Sequence, residues 1–262
     1  MNLEVITRRP DSATHSTPLL FVHGAWHGAW CWDVHFLPYF ARQGYEVYAL
    51  SLRGHGSSEN NRPLRLTRIA DYVADVAQVA AALERPPVLI GHSMGGFVTQ
   101  KYLERHEAPA AVLLASVPAQ GTMAYFLRFT ARHPLPMLRC LLTLSAYPIV
   151  GTPQLTRENF FSADLPEDKL LAYFGRIQNE SFMVALDTTL LALPRPERVK
   201  TPVLVLGAAN DMIFTTDEAE ETARAYNTKA EIFPGMAHDM MLEAGWQKVA
   251  DRILAWLHER AI

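Results

Sequence analysis

The stretch PPVLIGHSMGG, residues 86–96, joins an apolar run to a serine that has glycines on both sides. The apolar residues predict a buried strand that ends just before Ser93, and a helix is predicted to begin at the serine. In the pattern G-x-S-x-G, formed here by Gly91, Ser93 and Gly95, the serine occupies a sharp turn and the glycines leave room for the neighbouring strand and helix. The same residues also suit a serine that caps a helix beside packing glycines. The motif by itself therefore leaves two hypotheses, a nucleophile and a helix cap.

The rest of the chain alternates short apolar runs with longer segments of helical period. Because the apolar runs lack polar alternation, their strands should be covered on both faces, which favours an α/β fold with a mainly parallel, doubly wound sheet and helices on both faces. Residues 3–9 are predicted to add an antiparallel edge strand. Strands are predicted over 18–24, 45–50, 86–92, 110–117, 201–210 and 230–235. Helices are predicted over 32–44, 66–83, 93–106 and 215–226. A last helix is predicted to have one apolar face, formed by Leu242, Trp246, Val249, Ile253 and Leu257.

Residues 119–195 interrupt this alternation. They contain helical segments, for example 164–181, but no convincing strand. An insertion of this size between two strands of an open sheet is typical of a helical cap. The sequence therefore predicts an α/β core formed by residues 1–118 and 196–262, with a helical cap insertion over 119–195.

The composition favours a globular protein that acts on small molecules. The 262 residues are 49% hydrophobic and 19% charged, and the formal net charge of -3 gives no basic footprint for nucleic acid or anionic lipid. The chain lacks an apolar run of about 18 residues and an N-terminal signal-peptide pattern, so we expect a cytoplasmic protein without stable membrane insertion. Cys31 and Cys140 lie far apart and are expected to stay reduced. The sequence leaves the oligomeric state open.

A catalytic Ser93 would require a base, because a serine hydroxyl is a weak nucleophile until its proton is removed. In this type of sheet the base is expected after a later strand, near its carboxyl end. His238 follows the predicted strand over 230–235 and precedes the last helix, so it is the predicted base. His258 lies in the terminal helix, where a solvated side chain is the simpler interpretation.

The acid that orients the base should follow the preceding strand. Asp211 comes directly after the predicted strand over 201–210 and is the predicted acid. Asp217 and Glu218 are alternatives, but they stand in the first turn of a helix, where acidic residues complement the helix dipole. Asp239 adjoins the histidine and would have to fold back on it.

Two backbone N–H groups are expected to bind the oxyanion that forms when serine adds to a carbonyl. One belongs to Met94, the residue after the serine. The other is assigned to Ala25, in the loop HGAWHGAWCW after the first buried strand, with Trp26 as an alternative. His23 and His27 have a spacing that a metal pair could use, but this loop offers no further ligands. The predicted chemistry needs no metal and no organic cofactor.

Taken together, these motifs resemble the α/β-hydrolase superfamily, over nearly the whole chain. The motifs GHSMGG and RGHGSS resemble esterases, monoacylglycerol lipases and lysophospholipase-like members, whereas the oxyanion loop HGAWHGAWCW resembles plant methylesterases and hydroxynitrile lyases. The lyases have threonine where Gly24 stands and lysine where Asp239 stands, which argues against lyase activity. The motifs that carry the resemblance are HGAW (23–26), LRGHGSS (52–58), GHSMGG (91–96), AAND (208–211) and GMAH (235–238).

The resemblance and the three candidate residues predict a serine hydrolase that cleaves carboxylic esters with an apolar acyl or alkyl group through an acyl-enzyme. Lactone opening, including acyl-homoserine lactones, uses the same groups and is an alternative. A ligand-binding receptor on the same scaffold is a second alternative. The apolar residues of 123–150 are expected to line an acyl pocket, and the candidate substrate-binding residues are Trp26, Trp30, Phe126, Phe129 and Met240.

Overall fold

Seven strands form one sheet in a computed structural model that describes all 262 residues. The order across the sheet is β1-β3-β2-β4-β5-β6-β7. Only β1 runs antiparallel, and it pairs with β3 at the sheet edge, as the sequence predicted for residues 3–9. The strands are β1 (Val5–Arg8), β2 (Leu19–Val22), β3 (Val47–Leu50), β4 (Val88–His92), β5 (Ala111–Leu114), β6 (Val203–Ala208) and β7 (Ala230–Phe233).

The inner strands are buried on both faces, which confirms the doubly wound α/β fold. Every residue of β2, β4, β5 and β6 is buried, as expected where helices cover both sides of a parallel sheet. The helices that surround this sheet are α1 (Trp30–Asp33), α2 (Phe36–Arg42), α3 (Ile69–Ala81), α4 (Met94–Leu103), α10 (Thr216–Ala225) and α11 (Trp246–His258). Helix α3 packs on α4, and α11 packs on α2.

A helical insertion follows β5, and we call residues 119–195 the cap. It contains α5 (Met123–Arg132), α6 (Pro134–Thr143), α7 (Pro153–Phe160), α8 (Glu167–Phe174) and α9 (Phe182–Leu186), and a π-helical turn over Asp187–Leu191. Hydrogen bonds tie the cap to the rest of the molecule. The backbone N–H of Gln178 donates to the Trp26 carbonyl at 2.8 Å, and the Tyr72 hydroxyl donates to Glu180 Oε1 at 2.6 Å. The cap therefore lies against the loops at the carboxyl ends of the strands.

Three elements differ from the prediction in their bounds. The helix predicted over 32–44 is two helices, because the backbone leaves the helical region at His35, where φ is -137°. The last helix begins only at Trp246, so Leu242 is buried in the preceding loop. Helix α8 covers only the first part of 164–181. No helix of the protein combines the length and the apolarity needed to cross a lipid bilayer.

Candidate active site

Ser93 lies at the turn between β4 and α4 in a backbone conformation that non-glycine residues rarely adopt. Its φ is 52° and its ψ is -119°, and strain of this kind is concentrated at functional sites. The Ser93 hydroxyl makes no capping hydrogen bond to the first turn of α4, which argues against the helix-cap hypothesis. Small residues are required around it. A Cβ at Gly91 would lie 2.5 Å from the Gly95 carbonyl oxygen, and one at Gly95 would collide with the carbonyl of Val22.

His238 and Asp211 are in contact, as their positions after β7 and β6 predicted. His238 Nδ1 lies 2.8 Å from Asp211 Oδ2, and both side chains are almost completely buried. The second carboxylate oxygen of Asp211 accepts hydrogen bonds from the N–H groups of Ile213 at 2.7 Å and Phe214 at 3.0 Å. Since an ionised carboxylate only accepts, the ring proton must be on Nδ1, which leaves Nε2 as the basic nitrogen.

Nε2 of His238 is buried and makes no hydrogen bond to another protein group. His238 packs against His92, the residue before Ser93: the two rings lie 4.8 Å apart, and His92 Nε2 contacts the His238 carbonyl at 3.0 Å. No hydrogen bond joins Ser93 Oγ to Nε2 in this structure. Such catalytic hydrogen bonds commonly tighten only when substrate binds.

The alternative acids and the alternative base have other roles. Glu218 completes the capping box of α10 with Thr215 and pairs with Arg128 at 2.8 Å, and Asp217 is exposed in the same first turn. Asp239 makes no hydrogen bond to His238, and its carboxylate is paired with His27 instead. His258 is exposed at the end of α11. Among the candidates, only Asp211 is hydrogen-bonded to the candidate base.

Ala25 and Met94 both line the cavity that contains Ser93. The Ala25 N–H donates to no protein acceptor. Met94 is the first residue of α4, and the N–H groups of a first helical turn have no acceptor within the helix. Two free N–H groups thus border the serine, which is the requirement for binding an oxyanion.

The cavity beside Ser93 is small and apolar. Its volume is about 50 Å³, and 12 of its 16 lining residues are hydrophobic. Two of the five predicted substrate-binding residues, Trp26 and Phe126, are among them. Glu180 contributes the only charged side chain of this lining.

The other three predicted substrate-binding residues do not reach this cavity, and that part of the prediction is corrected. Trp30 packs between His27 and Tyr173 and lies under the Arg176 guanidinium. Phe129 is fully buried inside the cap, against Tyr125 and His133, and Met240 is fully buried in the core. Each is apolar and close in sequence to a residue of the site, but its side chain packs into protein interior rather than facing the cavity.

A buried cluster behind His238 was missed from the sequence. His27 Nε2 lies 3.0 Å from Asp239 Oδ2, with side chains 1% and 0% exposed. The other ring nitrogen of His27 lies 2.8 Å from the Ala25 carbonyl. Burial by itself would lower the pKa of His27, but the Asp239 carboxylate raises it. Burial would raise the pKa of Asp239, and the His27 cation lowers it. These opposite shifts favour an ionised pair, and the contact connects the residue after the base with the loop after β2.

Two histidine groups lie near the site, and in the first of them His23 offers a metal ion no free ring nitrogen. His23 Nδ1 donates to the Gly24 carbonyl at 2.7 Å and Nε2 accepts from the Leu52 N–H at 3.0 Å, so both of its nitrogens are engaged. His92, His238 and Asp239 place ligand atoms within 4.8 Å of one another. However, His238 Nδ1 is hydrogen-bonded to Asp211, and Asp239 is paired with His27, so both side chains already have a partner.

A second buried pair joins the cap to the core beside the cavity. His55 Nε2 lies 3.3 Å from Glu180 Oε2, and the Tyr72 hydroxyl donates to the other Glu180 oxygen. Burial would lower the pKa of His55, but Glu180 raises it. The motif RGHGSS contains His55, yet no local pattern indicated its partner in the cap.

The fold and the site define a class: a mainly parallel α/β protein with a strained serine at one strand end and a hydrogen-bonded histidine–aspartate pair at two later strand ends. The chain belongs to the alpha/beta hydrolase family, whose model matches residues 19–252.

Relatives of this chain include enzymes with different names. A non-heme chloroperoxidase of Streptomyces lividans is 40% identical over 105 residues, which are 38% of this chain and 37% of that protein. The "Probable esterase PIR7A" of Oryza sativa subsp. indica is 29% identical over 171 residues, 58% of this chain and 63% of that protein. The chain thus spans less than two thirds of the length of these curated relatives. The crystal structure of the Paleococcus ferrophilus monoacylglycerol lipase has a TM-score of 0.67 at 20% identity and covers 99% of this chain and 100% of that one, which shows the shared fold.

Proposed function

We propose that this protein is a serine hydrolase that cleaves carboxylic esters with an apolar acyl group through an acyl-enzyme. The observation that carries the proposal is the hydrogen bond of 2.8 Å between His238 Nδ1 and Asp211, which leaves Nε2 basic. The strained turn at Ser93 and the apolar cavity beside it support the same chemistry.

In the first half-reaction, Ser93 Oγ attacks the ester carbonyl while His238 Nε2 takes the hydroxyl proton. The carbonyl oxygen becomes an oxyanion that the N–H groups of Ala25 and Met94 stabilise. Each such donor is worth roughly 100- to 1,000-fold in rate. The tetrahedral adduct collapses as His238 passes the proton to the leaving alcohol, and Ser93 is acylated.

In the second half-reaction, His238 removes a proton from water, which attacks the acyl-enzyme. The second tetrahedral adduct releases the carboxylic acid and returns the proton to Ser93. Asp211 stays ionised throughout and stabilises the imidazolium in both halves. The carboxylate is suited to this role because its other oxygen is held by two backbone N–H groups.

The direct test combines turnover with labelling of the nucleophile. The purified protein is expected to release p-nitrophenol from p-nitrophenyl esters, and a fluorophosphonate is expected to add one phosphonyl group at Ser93, detected by peptide mass spectrometry. Ser93→Ala and His238→Ala should lose turnover and labelling. Ser57→Ala and His258→Ala are matched controls, because both side chains are exposed and outside the site. Turnover that persists in folded Ser93→Ala would contradict the mechanism.

The ester assignment is tested against lactone opening on a matched panel. Acyl esters and acyl-homoserine lactones with the same acyl chain would be compared by kcat/KM. An ester preference supports the proposal, whereas a lactone advantage of more than about 100-fold, or about 2.7 kcal/mol of transition-state stabilisation, would replace it with a lactonase. Stoichiometric ligand binding without turnover on any member of the panel would indicate a receptor.

A further inference from the structure

Two apolar cavities share a wall inside the cap. The first is the cavity beside Ser93. The second, which we call the outer groove, has a volume of about 210 Å³ and lies between α5, α6 and α9; nine of its ten lining residues are hydrophobic. Phe126, Ala146, Ile149 and Ala185 line both cavities. These four residues therefore form the boundary between the cavity beside Ser93 and the outer groove.

The outer groove opens at the surface of the cap between exposed leucines. Leu141 is 56% exposed and Leu186 is 39% exposed. No charged residue lines the groove, and its only polar residue is Thr189. An apolar depression of this kind, next to the cavity beside Ser93, is suited to a hydrocarbon chain rather than to water or to a polar ligand.

The boundary between the two cavities is held in place by hydrogen bonds. Ala185 is followed by the π-helical turn, in which Asp187 accepts from Arg68 Nε at 2.8 Å and from the Ile69 N–H at 3.0 Å. The same turn is tied to the start of α5, where Thr122 Oγ1 lies 2.9 Å from Thr189 Oγ1. Because both walls are fixed to each other and to α3, the fold sets the position of this boundary.

The positions of the proposed catalytic groups indicate which half of an ester enters the cavity beside Ser93. The leaving alcohol must lie beside His238 to receive its proton, and His238 does not line the first cavity. Ala25, Met94 and Ser93, which surround the carbonyl carbon and the oxyanion, do line it. The cavity therefore takes the acyl half, and with a volume of about 50 Å³ it is the smaller of the two cavities.

We propose that the unbranched acyl chain of the substrate passes from Ser93 into the outer groove across the boundary formed by Phe126, Ala146, Ile149 and Ala185. The substrates are then esters of medium- or long-chain fatty acids, with the distal part of the chain in the outer groove. This inference rests on the proposed ester hydrolysis and adds to it the class of acyl group.

The test compares p-nitrophenyl butyrate with p-nitrophenyl laurate, so that the leaving group stays constant, and measures the ratio of their kcat/KM values. The wild-type protein is expected to favour laurate. Ala185→Phe adds a ring at the boundary between the two cavities and should lower the laurate-to-butyrate ratio at least tenfold. Ala124→Phe is the matched control, because it adds the same ring at an exposed position on α5.

A second pair of variants probes the outer groove at the surface, where substitutions do not disturb packing. Leu141→Arg places a charge in the groove and should also lower the ratio at least tenfold. Leu138→Arg adds the same charge one turn away on α6, at a residue that is 50% exposed and outside the groove, and should leave the ratio within about twofold.

The inference is overturned if Ala185→Phe and Leu141→Arg both keep the wild-type ratio, or if the wild-type protein hydrolyses butyrate and not laurate. In either case ester hydrolysis itself stands. If the folded wild-type protein hydrolyses neither ester, the proposed function fails, and the inference fails with it.

Discussion

Asp239→Asn tests whether the buried pair behind the candidate base is ionised. The wild-type side chains of His27 and Asp239 are 3.0 Å apart and have no solvent around them. Removing one partner of a buried ion pair costs about 3–5 kcal/mol. Because asparagine keeps a polar group opposite His27, we expect the lower figure, about 3 kcal/mol, near pH 6. For a chain of this size the loss corresponds to a Tm lower by roughly 6–12 °C.

The pH dependence of this loss follows from the two pKa shifts. The pKa of His27 is raised above its ordinary value of 6.5, so its contribution to stability is complete below about pH 6.5 and is lost as pH rises through the folded pKa. The pKa of Asp239 is lowered from 3.8, so its contribution is complete above about pH 3.8 and is lost as pH falls through the folded pKa. The difference between wild type and Asp239→Asn should therefore be largest between about pH 4 and pH 6.5.

The assay is thermal unfolding of both proteins, followed by circular dichroism from pH 4 to pH 9. Asp33→Asn is the matched control, because the same substitution there removes an ion pair with Arg8, at 2.7 Å, that is open to solvent. Exposed ion pairs contribute about 0–1 kcal/mol to the free energy of unfolding. A difference below 2 °C at pH 6 for Asp239→Asn, or a difference that grows above pH 7, would refute an ionised pair.

Three further substitutions test the turn and the triad. Asp211→Asn should lower kcat by about 10⁴-fold, because the His238 ring would be held in the wrong tautomer. This is the loss known for the equivalent change in the Ser-His-Asp template. A loss under tenfold argues against Asp211 as the acid. Ser93→Gly should abolish ester turnover and unfold at a higher temperature than Ser93→Ala, because glycine relieves about 1–3 kcal/mol of backbone strain; equal Tm values contradict that strain. Gly95→Ala should strongly lower the yield of folded protein, whereas Gly175→Ala, whose added Cβ meets only ordinary contacts, should be tolerated.

The sheet and the candidate triad could be predicted because their signals are local. Apolar runs without alternation show that a strand is buried on both faces, and Ser93 and Asp211 each follow such a run, whereas His238 follows the half-buried strand β7. Parallel strands bring their carboxyl ends to one edge of the sheet, so positions far apart in the sequence are placed together by topology alone. The hydrogen bond between Asp211 and His238 agrees with that reasoning.

Contacts between two loops could not be predicted in the same way. His27 and Asp239 are separated by most of the chain. In the sequence, His27 is simply a residue of a turn, and Asp239 is simply the neighbour of the candidate base. Their pairing depends on where the loops after β2 and β7 meet. The sequence offers no periodic signal for such a meeting, because a loop side chain has no regular direction.

The sequence by itself determined the α/β fold and led to the three residues proposed for catalysis, since the burial of a strand follows from its residue pattern. Only the tertiary structure decided which apolar residues face the reaction site. Trp26 and Phe126 line the cavity, whereas Trp30, Phe129 and Met240 pack into the interior. The physical reason is that the hydrophobic effect has no direction. It requires that these side chains leave water, and the packing of cap on core decides whether each meets protein or substrate.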